Sequence, residues 1–138
     1  MKLGDGLKVR IFGGLDFFGG SGQITRFDVS AFPCRIAGLV RDLDVEKYMP
    51  AKEARRMDLF MQYGISAGVQ AIADSGLAVT EENRARIGLV FGAGIGGLTT
   101  IEDNYSKYLE TRTAKKISPF YIPGSIINAA AGQVSIHF

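Results

Sequence analysis

The chain has 138 residues, of which 46% are hydrophobic and 22% charged, which is the composition of one ordinary globular domain and not of a disordered segment. Its formal net charge of +2 is too small to indicate nucleic-acid binding, and no apolar stretch is long enough to span a bilayer. With Cys34 the only cysteine and His137 the only histidine, an intrachain disulfide and a metal site of thiolate or imidazole ligands are excluded. We therefore expect no nucleic acid, membrane, metal or cofactor partner, and a reducing, cytoplasmic location.

The first half of the chain predicts two short strands and one long helix. The strands are expected at 7–12 (LKVRIF) and 35–40 (RIAGLV), and the glycine-rich residues 13–23 between them are assigned no packed structure. From Ala51 to Ser75 the pattern is helical, because apolar or small residues recur on one stripe: Met57, Phe60, Met61, Gly64, Ile65, Gly68 and Ile72. Small residues on this stripe favour a helix packed tightly against another layer.

The second half predicts a buried strand followed by two helices. Thr80 is placed to cap a short turn, and Ile87 to Phe91 forms a continuous apolar run of the kind found in parallel sheets. A helix is expected from about Thr99 to Leu109, and an apolar, alanine-rich helix from Ser125 to Phe138. This order of strands and helices indicates an α/β fold. Because nothing follows the last apolar helix to cover it, we expect a domain that is cut short.

One motif in this half needs a choice between two interpretations. The stretch VFGAGIGGLTTIEDN places Gly92, Gly94 and Gly97 in the pattern G-x-G-x-x-G, between the predicted strand and helix. We call residues 92–97 the glycine turn. A dinucleotide site would need a second strand ending in an acid about twenty residues further on. The sequence has two lysines (115–116) there instead, so NADP binding is a distant alternative to a turn in which strand and helix pack closely.

Four segments together carry a resemblance to a known family: SGQITRFDVSAFPCRIAGLV, AKEARRMDLFMQYGISAGVQAIADSGL, TEENRARIGLVFGAGIGGL and KKISPFYIPGSIINAAAGQVSIHF. From about Ser21 to Phe138 they resemble, in order and spacing, the N-terminal half of bacterial β-ketoacyl-ACP synthases, the condensing enzymes of fatty-acid synthesis. The resemblance implies an α/β fold that is the incomplete N-terminal half of a thiolase-like, α-β-α-β-α layered domain. It also implies a turn beside an acyl-chain pocket at the glycine turn. Residues 1–20 depart from the family pattern, which divides the chain into an atypical segment (1–20) and a partial synthase domain (21–138).

The activity that this resemblance implies is a decarboxylative Claisen condensation. In the family, a cysteine takes an acyl group from acyl carrier protein (ACP), and two histidines assist the decarboxylation of malonyl-ACP. These three residues lie beyond the position that matches Phe138, so we predict no catalytic residue here and an inactive chain when it is alone. Cys34 and His137 match no catalytic position and are expected to be packing or surface residues. A non-catalytic module that binds ACP or dimerises is the alternative.

Five cations are candidate contacts for the acidic carrier protein. Lys52, Arg55 and Arg56 fall at i, i+3 and i+4, on one face of the predicted helix, and Lys115 and Lys116 form a second basic pair. From the residues alone, a solvated helix face and an ordinary basic loop are the favoured interpretation. The resemblance implies that all five dock ACP, and we call them the basic rim.

The resemblance also implies an acyl pocket and a dimer interface. Ile95, in the glycine turn, matches the residue that gates the pocket, and Tyr121 is a second pocket residue. Pro123, Ile126 and Asn128 lie in a segment that matches the family's dimer interface, so a homodimer is expected. For each of these residues, ordinary packing is the alternative.

Overall fold

The computed structural model describes residues 21–40 and 42–138, and the strand and the atypical segment predicted within residues 1–20 lie outside this part. Its strands are β1 (Ser21–Gln23) and β2 (Ile36–Gly38), and its α-helices are α1 (Ala51–Ala54), α2 (Leu59–Ser75), α3 (Leu98–Thr111) and α4 (Ile127–His137). Short 3-10 turns lie at Val45–Lys47, Arg84–Arg86 and Ala114–Lys116. None of the helices in this part is both long and apolar enough to cross a membrane.

The two strands form an antiparallel ribbon. Ser21 pairs with Gly38, Gly22 with Ala37 and Gln23 with Ile36. The strand predicted at 35–40 is therefore confirmed in its central residues, whereas the end of the predicted glycine-rich loop is a strand. The Arg26 guanidinium donates to the Tyr63 hydroxyl at 2.8 Å, which ties the ribbon to α2.

The helix predicted from Ala51 to Ser75 is two helices, which corrects the prediction. The backbone of Asp58 is extended (φ −64°, ψ 158°), and its carboxylate accepts the Phe60 N–H at 3.2 Å. An N-cap residue has a non-helical backbone, and its side chain accepts a hydrogen bond from the first turn of the helix that follows. Asp58 therefore interrupts the predicted helix and begins α2. At the other end, Gly76 is left-handed (φ 65°), the conformation in which glycine commonly ends a helix.

The core lies between α2 and α4, where small residues bring the helices close together. A Cβ atom on Gly68 would lie 3.3 Å from the methyl groups of Val134, and one on Gly64 would lie 3.7 Å from the Cβ of Ala130. Val134 and Met61 are each only 1% exposed. The tight packing predicted from the small residues of α2 is confirmed. The two last predicted helices are also found, with ends shifted by one to two residues.

The predicted strand from Ile87 to Phe91 is not a strand in the structure, and it is not buried throughout. Val90 is 97% exposed and Leu89 is 39% exposed. A strand needs a hydrogen-bonded neighbour, and none of the described residues pairs with this stretch. Phe91 is nevertheless half-buried and packs against the core. Residues 87–91 therefore form an unpaired segment that is attached to the core at its last residue, Phe91.

Ser66 provides a test of the core. It is fully buried in α2, and its Oγ has no hydrogen-bond partner among the described residues. An unpaired buried hydroxyl costs about 1–3 kcal/mol, and alanine is the better helix former. We expect Ser66→Ala to raise the free energy of unfolding in urea by about 1–2 kcal/mol. Ser135→Ala, at an exposed position of α4, is the matched control and should change it far less. A loss of stability in Ser66→Ala would show that the hydroxyl is paired.

Candidate functional site

The glycine turn contains glycines of two kinds. Gly96 has φ +94°, and a Cβ atom there would lie 2.5 Å from the carbonyl oxygen of Ser125. A Cβ atom on Gly97 would lie 2.7 Å from the Cα of the same serine. At Gly92 and Gly94, by contrast, an added Cβ atom would have no neighbour within 4 Å. Gly96 and Gly97 are thus needed for close contact with the backbone of Ser125. This supports the interpretation of residues 92–97 as a closely packed turn.

The carboxylate of Asp58 joins the N-termini of two helices. It is 7% exposed, and besides capping α2 it accepts the Thr100 N–H, in the first turn of α3, at 2.8 Å. The Gly97 N–H donates to the Ser125 carbonyl at 2.9 Å. A pyrophosphate at the start of α3 would need such N–H groups and would meet the charge of this carboxylate. The geometry therefore argues against a dinucleotide site.

The turn at residues 118–126 is held against both helices by polar contacts. The Ser118 N–H donates to the side-chain oxygen of Asn104, a buried residue of α3, at 2.8 Å. The Asp58 N–H donates to the Gly124 carbonyl at 3.1 Å. This turn, which carries the predicted interface residues Pro123 and Ile126, is therefore fixed to the start of α2 and to the middle of α3.

All members of the basic rim are exposed: Lys52, Arg55, Arg56, Lys115 and Lys116. Within residues 21–40 and 42–138, the ion pairs are Lys47–Asp44 and Arg84–Glu81, so no rim cation is neutralised there by an intramolecular pair. The guanidinium carbon of Arg56 lies 4.6 Å from the centre of the Phe120 ring. The structure thus connects Arg56, in the first group of rim cations, to the turn at residues 118–126, which follows Lys115 and Lys116.

The predicted pocket and interface residues are mostly at the surface. Ile95 is 66% exposed and Ile126 is 40% exposed, Pro123 and Asn128 are exposed, and Tyr121 is half-buried. A cavity of about 340 Å³ lies elsewhere, between α1 and the end of α4. It is lined by Met49, Pro50, Glu53, Met57, Ile65, Gln133, Ile136 and His137, and so by none of the predicted pocket residues. The roles of these five residues stay predictions.

The lone cysteine and the lone histidine lie in ordinary surroundings. Cys34 is exposed, and its thiol donates to the Ile36 carbonyl at 3.5 Å. The ring of His137 lies 4.8 Å from that of Phe138. In the same loop as Cys34, between β1 and β2, the Ser30 backbone N–H and then its hydroxyl hold the pKa of Asp28 below its usual value. In the described part of the chain, no three His, Cys, Asp or Glu side chains are grouped as metal ligands.

Three residues that organise this site were missed from the sequence. Asp58 had a usable signal, because an aspartate just before an apolar helical stripe is a common N-cap. Asn104 and Phe120 had none, since their partners are Ser118 and Arg56, and only the folded chain brings these pairs together.

Comparison with solved structures identifies the class of fold. The structure resembles a type II polyketide synthase structure in which an acyl carrier protein is in complex with its ketosynthase bound to the hexaketide, with a TM-score of 0.66 and 29% sequence identity. The similarity covers 72% of this chain and 28% of that one. A family model, "Beta-ketoacyl synthase, N-terminal domain", matches residues 20–138. The chain belongs to the β-ketoacyl synthase family.

Curated relatives narrow the similarity within that family. The chain is 53% identical over 114 residues to "3-oxoacyl-[acyl-carrier-protein] synthase 2" of Vibrio harveyi, which covers 83% of this chain and 27% of the relative. It is 37% identical over 134 residues to the protein of the same name from Staphylococcus aureus, which covers 97% of this chain and 33% of the relative. The family resemblance seen in the sequence is confirmed. The chain spans 27–33% of the length of these relatives.

The close approach at Gly97 leads to a paired prediction. Gly97→Ala forces its Cβ into the Ser125 backbone, and such overpacking costs about 1–3 kcal/mol of unfolding free energy. Gly132→Ala, in α4 with open space around the added carbon, should instead stabilise the protein by roughly 0.5–1 kcal/mol. Urea denaturation of both variants measures the difference, and equal effects would contradict the proposed contact.

The double cap at Asp58 leads to a second prediction. Asp58→Ala removes the acceptor for two helix N-termini and should lower the free energy of unfolding by about 2–4 kcal/mol. Asp58→Asn retains one acceptor oxygen and should lie between wild type and Asp58→Ala. Asp74→Ala, at an exposed position of α2, is the control. If Asp58→Ala cost no more than this control, the carboxylate would not be joining the helices.

Proposed function

We propose that this chain forms the N-terminal part of a 3-oxoacyl-ACP synthase of fatty-acid biosynthesis, a cytoplasmic acyltransferase, with the α-β-α-β-α layers of the thiolase fold. The observation that carries this proposal is the match of residues 20–138 to the N-terminal domain of β-ketoacyl synthases, together with 53% identity to a relative that bears the name of this enzyme. The layered sheet would include the extended run from Ile87 to Phe91, whose apolar side chains are exposed along most of its length.

The reaction of the whole enzyme transfers an acyl group from ACP to a cysteine thiolate as a thioester. Malonyl-ACP then releases CO2, and the carbanion that remains attacks the thioester carbonyl and expels the thiolate. The one cysteine of this chain, Cys34, bonds to a backbone carbonyl and has no imidazole partner. We therefore assign the nucleophile and the two assisting histidines to the part of the family fold that follows this domain.

The contribution of this chain to the reaction is binding, and the basic rim is its main element. Its cations are exposed and none is held in an ion pair by a described residue. An acidic carrier protein would be attracted to such a surface over distances of about 10 Å at moderate salt. The similar ketosynthase is itself seen with an acyl carrier protein. We infer that the rim guides ACP to the enzyme.

The acyl chain and a second subunit are the other proposed partners. Ile95 stands on the glycine turn with most of its surface exposed, where a branched side chain could swing aside for an acyl chain. Tyr121 would line the same pocket. Pro123, Ile126 and Asn128 lie on a fixed turn and at the start of α4, and their exposed surface would be covered in a homodimer.

A second candidate function is a carrier-binding or dimerising module without catalysis. It is favoured for the chain alone because the Cys34 thiol donates to a backbone carbonyl and has no imidazole partner among the described residues. Both functions share the basic rim, so they differ in whether the chain by itself converts acyl-ACP and malonyl-ACP to product.

The experiment is a titration of the chain with acyl carrier protein at 50 and 200 mM salt. We expect binding to weaken about tenfold or more across this range and Lys52→Glu to weaken it further, because exposed charges are screened by salt. Lys107→Glu makes the same charge change at an exposed position of α3 outside the rim and is the matched control. Binding that ignores both salt and Lys52→Glu would remove the electrostatic basis. Condensation by the chain alone would overturn the assignment of catalysis to the following part.

A further inference from the structure

The side chain of Arg56 packs against an aromatic ring, and within residues 21–40 and 42–138 no other cation of the basic rim does so. Its guanidinium carbon lies 4.6 Å from the centre of the Phe120 ring. A cation within about 6 Å of a ring centre is attracted to the ring face by about 0.5–1 kcal/mol at an exposed site. Phe120 is 39% exposed, so the pair lies at the surface, where a partner protein can reach it.

The backbones that carry these two residues are also in contact. A Cβ atom on Gly124 would lie 2.6 Å from the carbonyl oxygen of Arg56, so the two segments approach as closely as glycine allows. The Gly124 N–H donates to the Phe120 carbonyl at 2.8 Å, which closes the turn around the ring. The neighbouring Asp58 N–H donates to the Gly124 carbonyl at 3.1 Å. The backbone that carries the Phe120 ring is therefore held in place by these hydrogen bonds.

An arginine held against a ring remains able to bind carboxylates. Its planar guanidinium stacks on the aromatic face and keeps N–H donors at its edge, in a geometry that matches a carboxylate. Because one orientation is already selected, less side-chain entropy is lost when the partner binds. No described aromatic ring makes such a contact with Lys115 or Lys116, and both lysines are exposed.

We propose that Phe120 is a positioning residue for carrier binding: its ring holds Arg56 in a binding orientation and joins the two basic groups of the rim into one surface. This inference rests on the proposed function, because the partner is the same acidic carrier protein. Phe120 itself carries no charge and acts through Arg56.

A double-mutant cycle on the full chain tests this role. The chain is titrated with purified acyl carrier protein at low salt, as wild type, Phe120→Leu, Arg56→Ala and the double variant. We expect Phe120→Leu to weaken binding about threefold to fivefold, as an exposed cation–π contact predicts, and to have no further effect once Arg56 is alanine. Phe120→Tyr keeps a ring face and should restore binding. Phe32→Leu removes another exposed aromatic, whose ring contacts Phe27, and should leave binding unchanged.

The outcomes separate the positioning role from carrier binding itself. If Phe120→Leu binds as the wild type does while Lys52→Glu still weakens binding, Phe120 has no positioning role and carrier docking stands. An equal loss in both Arg56 backgrounds would also overturn the role, because the ring would then act without the cation. Absence of carrier binding by the folded wild-type chain would overturn both proposals.

Discussion

A single buried carboxylate, that of Asp58, holds together elements that are far apart in the sequence. Its bond to Thr100 spans 42 residues, and its bond to Phe60 begins α2. A buried carboxylate is costly unless it is satisfied, and here two N–H donors and the positive ends of two helices satisfy it. The turn at 118–126 joins the same point through Gly124, so the start of α2, the start of α3 and the turn before α4 share one anchor.

The structure divides into an apolar half and a polar half around this anchor. α2 and α4 pack through small and aliphatic residues, with Gly68 against Val134. α3 and the turn at 118–126 are attached mainly through polar groups, namely Asp58, Asn104 and the Ser125 carbonyl. Apart from Lys52, Arg55 and Arg56, and from Asn128 at the start of α4, the proposed binding residues lie in or beside this polar half. The apolar half gives stability, and the polar half gives position to side chains that a partner would meet.

Periodicity predicted the helical segments well, apart from the break before Leu59, and predicted the sheet poorly, for a physical reason. The small and apolar stripe of α2 depends only on local spacing, so its packing face could be seen in the sequence. The run from Ile87 to Phe91 has a strand's composition, but a strand exists only with a neighbour, and none of the described residues supplies one. Arg56 was identified through the family resemblance. Its contact with Phe120 could not be predicted from the sequence, because the two residues are 64 positions apart and only the folded chain brings them together.

The polar attachment of α3 has a consequence for how the molecule opens. Asn104 is the only residue of this helix that is buried among those described, so little apolar surface would be exposed if α3 moved away. Its backbone amides should therefore exchange with solvent through a local opening, whereas those at the α2–α4 contact should wait for global unfolding. Such an opening would carry the glycine turn with it and alter the mouth of the proposed acyl site, while the helix pair beneath stays intact.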